Sequence, residues 1–257
     1  MLADAARGVR YIHPLQRWFT FIPCERRLIM LIPRYYFAHT YDDLLPVLLE
    51  CTHTEQHFKK GDVILHYGDP LTTIYFYRSG IVKASITHEL GYEKTISFHG
   101  EGTIFPGCHT IDFQIELSLC ITAIADTDVY SFPRKDFMEH LRKHVDLLVR
   151  MHDWYASYIN LLLFESAHQT YNNSFIKLCN ILYLFMTSGP GQDTCTIPLT
   201  QEELAGILAI ERANVSRFIS KLKKENIIVS RRGSLQVIDP DGLLAYCSLE
   251  THPGNIN

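Results

Sequence analysis

Residues 198 to 228 restrict the fold most tightly, because their pattern suits two short helices joined by a tight turn. Thr200 followed three residues later by Glu203 has the spacing of a capping box, in which each side chain satisfies a backbone N–H at a helix start. Leu204, Ala205, Ile207 and Leu208 supply an apolar stripe, and Ile210 closes a short turn. A second helical pattern puts Val215, Ile219 and Leu222 on one face, and Arg212, Asn214, Ser216, Arg217 and Lys221 away from it. Side chains of the second set reach base edges or phosphates when a helix lies in the major groove. Ile227-Ile228-Val229 and Leu235-Gln236-Val237-Ile238 flank Arg231-Arg232-Gly233-Ser234 as strand, turn and strand. The stretch predicts a winged helix-turn-helix.

A basic amphipathic helix pair also occurs as a merely solvated hairpin. The distribution of charge argues for more. Between Arg212 and Arg232 four arginines and three lysines face one acid, Glu225, a net +6 in a chain of formal net charge −4. Basic charge concentrated on a mildly acidic protein marks a phosphate-facing surface.

The 257 residues suffice for one large domain or two ordinary ones. A hydrophobic content of 47% with 20% charged residues describes a soluble, core-forming chain. No apolar run approaches the roughly 18 residues of a membrane span, and the start lacks the apolar stretch of a secretory signal. The seven cysteines are scattered, without any Cys-x-x-Cys pair. That usage predicts a reduced, cytoplasmic protein without a disulfide framework or structural zinc.

Four segments follow along the chain. Residues 1–40, rich in arginine, form an arm or precede a true start at Met30. Residues 41–132 read as an antiparallel β-roll: short runs of β-branched and aromatic residues are punctuated by Gly61, Gly68, Gly80, Gly91 and Gly102. Residues 133–170 read as a helical region in which Leu147, Met151, Trp154, Tyr158 and Leu161 alternate spacings of four and three, a heptad seam suited to packing against a second copy. Packing on the chain's own β-region is the alternative. Residues 171–250 would then carry a hinge at Tyr171-Asn172-Asn173-Ser174 and the winged helix-turn-helix. The expected fold class is α+β.

This order resembles the Crp/Fnr superfamily of bacterial transcription regulators, over about residues 50 to 245. Val215-Ser216-Arg217 carries the most specific part, and Thr170-Tyr171-Asn172 resembles the halorespiration branch, which senses chlorinated aromatics. The resemblance implies that Arg217 forks onto guanine O6 and N7, that Ser216 sits in the reading helix, and that Thr200 and Gln201 contact phosphate. It implies a homodimer on double-stranded DNA, a small-molecule effector, and RNA polymerase as a partner if the protein activates. Ala213 stands where many members carry a glutamate that accepts from cytosine, so a palindromic, A/T-rich site is expected. Lys221, Lys223, Lys224, Arg231 and Arg232 are expected on phosphates. Ala209 replaces a frequent turn glycine.

For the effector, Leu117-Ser118 stands at the family's Arg-Ser position, which leaves a cyclic phosphate without its compensating cation and argues against cyclic AMP. Cys24 alone does not supply the cysteines of an iron–sulfur centre. The lysines that bind a phenolate in the halorespiration branch are replaced by Gly107 and Ser157. Phe98, Phe105, Cys108, His109, Trp154 and Tyr158 are the candidate lining of an aromatic pocket for a neutral or weakly polar ligand. Two alternatives stay open. Cys108-His109 lies near the haem ligands of the family's carbon-monoxide sensors, which would make a gas sensor. His53, Glu55 and His57 alternate as on one strand face and could hold a metal in a cupin-like enzyme. With no nucleophile–base pair or phosphate loop in context, the leading expectation is a regulator rather than an enzyme.

Overall fold

A computed structural model describes residues 29–191, 194–231 and 233–255. The chain falls into two compact units. In the smaller, β1 (Ile29–Met30) pairs antiparallel with β14 (Gly254–Asn255). Residues 1–28 of the expected arm lie outside the described residues, whereas residues 32–40 belong to the larger unit, where Tyr35 and Phe37 are buried in the core. The larger unit spans Ile32–His252.

The β-roll is two facing sheets. One has the order β3 (Thr54–Phe58), β10 (Thr127–Pro133), β5 (Thr73–Tyr77), β8 (Thr103–Phe105). The other runs β2 (Tyr36–Phe37), β7 (Glu93–Gly100), β6 (Ile81–Thr87), β9 (Leu119–Ala123), β4 (Val63–Leu65), with β2 parallel to β7. Period-two alternation sends Ile74, Val82, Ile104, Ile121 and Val129 inward, where all are buried. The glycines sit at the corners. Gly80 has φ +84, and a Cβ there would collide with the Asp126 carbonyl and Thr127, so only glycine lets this turn close. A register shift opposite Ala84 and Ser85 leaves Ile96 as the extra residue of β7.

A single helical turn, α1 (Leu45–Leu48), precedes the roll, and α2 (Arg134–Leu141) follows it. The long α3 (Val145–Tyr171) has 27 residues, about 40 Å at the α-helical rise. Its heptad positions carry a correction. Leu147, Met151, Trp154 and Leu161 are at most 2% exposed, because they face the chain's own core beside Tyr41, Phe37 and Phe105, and Tyr158 packs with them. They are not free to form a seam with a second copy. The uncovered apolar stripe is Val145, Leu148, Ile159 and Leu162, the same period displaced around the helix.

After Asn172 the chain turns, and the Asn173 side chain caps α4 (Ser174–Ser188) by accepting from the N–H groups of Phe175 and Ile176. Then come β11 (Thr196–Ile197), α5 (Gln201–Leu208), α6 (Arg212–Lys224), β12 (Ile228–Arg231), β13 (Ser234–Val237) and α7 (Pro240–Leu244). The sheet order β11–β13–β12 makes the wing. Val215, Ile219 and Leu222 seat α6 on α4 and α5 through a buried apolar cluster. Among the described residues, no helix is long and apolar enough to cross a membrane.

Candidate functional site

The capping box forms as its spacing requires. Thr200 Oγ1 accepts from the Glu203 N–H at 3.2 Å, and the Glu203 carboxylate accepts from the Thr200 N–H at 2.6 Å. Helix α5 ends on Ala209 with φ 53 and ψ 46, the left-handed conformation that glycine adopts freely and alanine does not. That turn sets the angle of α6. On α6, Ala213, Arg217, Ser220 and Lys224 share one exposed face, while Asn214 and Ser216 flank it half-buried. The Arg217 guanidinium donates to Asn214 Oδ1 at 3.0 Å and rests over the Phe218 ring. This contact pre-orients the fork without burying it.

Arg212 lies at the start of α6, 3.8 Å from Glu202. Lys221 is exposed, as expected, but lies to one flank of this face. Its ammonium sits 4.0 Å from the Phe175 ring centroid and 4.7 Å from that of Tyr246, so cation–π attraction draws it along the helix flank onto α4. Lys223 and Lys224 are exposed, and Arg231 donates to Gln236 across the wing. Arg232 lies outside the described residues.

The second site is a cavity of 270 Å³ between the β-roll and α3. Phe105, His109, Trp154 and Tyr158 line it as expected. Phe98 does not, since its ring packs edge-on against Phe185 of α4. Cys108 does not either: it is 4% exposed, and burial pushes its thiol up to about 11. The sequence reading missed Leu71, Ile86, Ile96, Ile115, Leu119, Tyr155 and Leu162, which come from separate segments and complete the apolar wall.

The polar groups of this cavity are few. His109 Nε2 lies 2.6 Å from Glu116 Oε1, and both side chains line the space. The buried Trp154 indole N–H has no hydrogen-bond partner among the described residues. Tyr158 OH reaches Ser97 Oγ at 3.1 Å, and Ser97 reaches His99 Nε2 at 2.9 Å. Burial raises the Tyr158 phenol to about 12, against the opposing Ser97 bond, and lowers His99 to about 3. Both are therefore neutral near pH 7. Among the described residues, no lysine or arginine lines the wall. Arg134, which bonds the carbonyls of the lining residues Leu71 and His109, is also committed to Asp112. The arrangement admits a flat, largely apolar molecule.

A third feature joins the first two. The Lys94 ammonium on β7 donates to Glu165 Oε2 at 2.7 Å and to the Ile207 carbonyl of α5 at 3.2 Å. Glu165, 7% exposed, also accepts from Tyr35 OH and from Gln169. Gly206 of α5 lies against Thr95. Strand β7 thus touches α5 through Lys94 and Thr95, and lines the cavity through Ile96.

Neither alternative centre gains support from the geometry. His109 faces the cavity while Cys108 is buried outside its lining, so the two do not present a common pair of haem ligands, and the residues do not fit that group. His53 bonds the Cys51 carbonyl, Glu55 pairs with Arg78, and His57 pairs with Asp128. Separate partners hold those three apart.

Comparison with known proteins gives one consistent picture. Residues 55–144 match the cyclic nucleotide-binding domain, and residues 176–246 match the Crp-like helix-turn-helix domain. The chain is 27% identical over 187 residues to the cyclic AMP receptor protein of Thermus thermophilus, covering 70% of this chain and 82% of that one. FixK2 from Bradyrhizobium japonicum has the same fold, with a TM-score of 0.66 at 17% identity over 77% of this chain and 98% of that one. OCPA-complexed CprK matches with a TM-score of 0.63 at 20% identity, over 84% and 99%.

Proposed function

Because the chain belongs to the Crp/Fnr family of DNA-binding transcription regulators, we propose that it is a homodimer whose DNA affinity is set by a small, neutral, largely apolar aromatic effector. The observation that carries this reading is the double use of β7, with Ile96 in the cavity wall and Lys94 and Thr95 on the DNA-binding helices. An effector that fills the cavity presses on the bulged residue. Its immediate neighbours in the strand then release or reseat α5, and with it α6. The effector acts only through its different affinity for the two arrangements.

Among the described residues the cavity wall carries Glu116 and no lysine or arginine, which disfavours a cyclic phosphate there, since a buried phosphate needs a compensating charge. A neutral aromatic ring suits Phe105, Trp154 and Tyr158. The exposed stripe Val145, Leu148, Ile159 and Leu162 suits a second copy of α3. Tyr155 and Leu162 bring that face to the cavity rim, so the effector would also feel the partner helix.

On DNA, Arg217 would read guanine, with Thr200, Gln201, Lys223, Lys224 and Arg231 on phosphates. Ala213 offers a methyl group and no acceptor, which favours thymine where a glutamate would favour cytosine. Two recognition helices would meet half-sites about 34 Å apart, one helical turn. Selection from a random DNA pool, with and without a panel of small aromatic compounds, tests the reading. A palindrome lacking the cytosine preference and enriched with one compound is the expected result. Enrichment that depends on a cyclic nucleotide would overturn the effector assignment, and a cytosine-bearing half-site would overturn the role of Ala213.

A further inference from the structure

We propose that Glu50, His140 and His144 form a binding site for one divalent metal ion of the zinc class, where α3 leaves the β-roll. Each offers one donor atom, and the three atoms lie within 4.8 Å of one another. Donors about 2.0–2.2 Å from a tetrahedral zinc stand roughly 3.3–3.6 Å apart. The set therefore closes with a shift of about 1 Å, which rotation of the exposed Glu50 carboxylate and the half-buried His144 ring accommodates.

The surroundings of the two imidazoles point to an ion. His140 is 9% exposed, and its Nε2 lies 2.7 Å from the Val47 carbonyl. That contact engages Nε2, fixes the ring, and leaves Nδ1 as the ring nitrogen available to a ligand. Metal-bound histidines are held in this way by a backbone carbonyl on their other nitrogen. The His140 and His144 rings are 4.2 Å apart. His144 Nε2 is 3.6 Å from Glu50 Oε2, beyond hydrogen-bond range, so the two lie close without bonding each other.

His144 supplies a second sign. It occupies the N-cap of α3 with extended backbone, φ −121 and ψ 93, yet its side chain makes no capping bond. The ring turns to Glu50 and His140 instead. Two imidazoles and a carboxylate select a borderline cation such as Zn²⁺ over Ca²⁺ or Mg²⁺, which prefer all-oxygen sets, and leave a fourth position to water. The ion would tie together the loop after α1, the last turn of α2 and the cap of α3. Leu147 and Met151 begin the buried face of α3 immediately beyond, so metal supply would bear on how firmly that helix is seated. The site is separate from the DNA surface and the cavity, and the proposal does not depend on the effector assignment.

The test uses untagged full-length protein, stripped with chelator and desalted, titrated with Zn²⁺ in a calorimeter and with Co²⁺ by absorption. Glu50→Gln keeps an exposed polar side chain, and His144→Asn keeps a good N-cap residue, so both variants retain the fold, checked by circular dichroism and metal-free melting. Loss of an outer partner of a metal site already costs about 10–100-fold in affinity. We therefore expect one tight equivalent in the parent, at least tenfold weaker binding in each variant, loss of the Co²⁺ ligand-field bands in His144→Asn, and a Zn²⁺-dependent rise in melting temperature confined to the parent. A parent that takes up no Zn²⁺, or a double variant that binds one equivalent as tightly as the parent, overturns the proposal.

Discussion

The recognition helix and the effector cavity are built from similar side chains put to opposite uses. On α6 the apolar residues Val215, Ile219 and Leu222 hold the fold while Arg217 and Lys224 stand exposed, so what binds and what stabilises are different atoms. In the cavity they are the same atoms. Trp154 is 2% exposed, packs on Phe37, Phe105 and Tyr158, and forms part of the wall. The lesson is that binding changes on α6 should leave stability alone, whereas changes in the cavity should move both together.

The largest effect that could break this contrast is at Trp154. Trp154→Ala is expected to cost about 3–5 kcal/mol of stability, measured by denaturant unfolding, because it removes a buried aromatic and opens a void. Loss of effector response at unchanged stability would mean that the wall is not the core. A chemical probe of the same contrast is acid. Burial lowers His99 to about 3 and His168 to about 4, with Lys94 and Lys177 adding to the effect at His168 against Glu165 and Glu250. Both are neutral in the fold and gain a proton more readily when unfolded. The stability they confer is complete above the unfolded value of about 6.5 and falls as pH drops from there towards 4 and 3, by on the order of a few kcal/mol. Unfolding followed at pH 7.5, 5.5 and 4.5 should show that slope, and His168→Gln should flatten its upper part.

On the DNA side the expected effect is smaller and confined to binding. Arg217→Ala should cost about 1–3 kcal/mol of discrimination at guanine, read by binding to matched and substituted sites. Melting should stay within about 0.5 kcal/mol of the parent, as for other exposed positions. Retained guanine preference would place the reading side chain elsewhere on α6. A melting shift as large as that of Trp154→Ala would erase the contrast altogether.

The same difference explains what the sequence could and could not disclose. The elements of the helix-turn-helix were legible because a single helical period, one capping box and one charge cluster specify them within thirty-odd contiguous residues. The spacing of Leu147, Met151, Trp154 and Leu161 was legible too, but a period tells which residues share a face and not what covers it. Here the β-roll covers it, and the stripe from Val145 to Leu162 is left open. The cavity was half-legible. Aromatic residues marked Phe105, Trp154 and Tyr158, whereas Leu71, Ile96 and Ile115 come together only through strand pairing over long separations, and Ile96 enters through a bulge that no local pattern announces. Lys221 stands exposed as its spacing required, but its attraction to Phe175 and Tyr246 was not legible because it is tertiary.

The smallest prediction sits where the two regions meet. Ala209 ends α5 in the left-handed conformation, which costs a residue with a Cβ roughly 1–2 kcal/mol. Glycine carries no such strain but loses more entropy on folding, by roughly 0.5–1 kcal/mol. Ala209→Gly should therefore stabilise the chain by about 0.5–1 kcal/mol, within the range seen for backbone-matched substitutions. Ala209 makes no base contact in the proposed complex, so the half-site preference should stay the same in a repeat of the random-pool selection. A stabilised variant that reads the same site would confirm that the turn sets the angle of α6 without setting its chemistry. Destabilisation would show instead that the Ala209 methyl group holds the helix pair together, and that stability and recognition are less separable on this side of the molecule than the exposed face of α6 suggests.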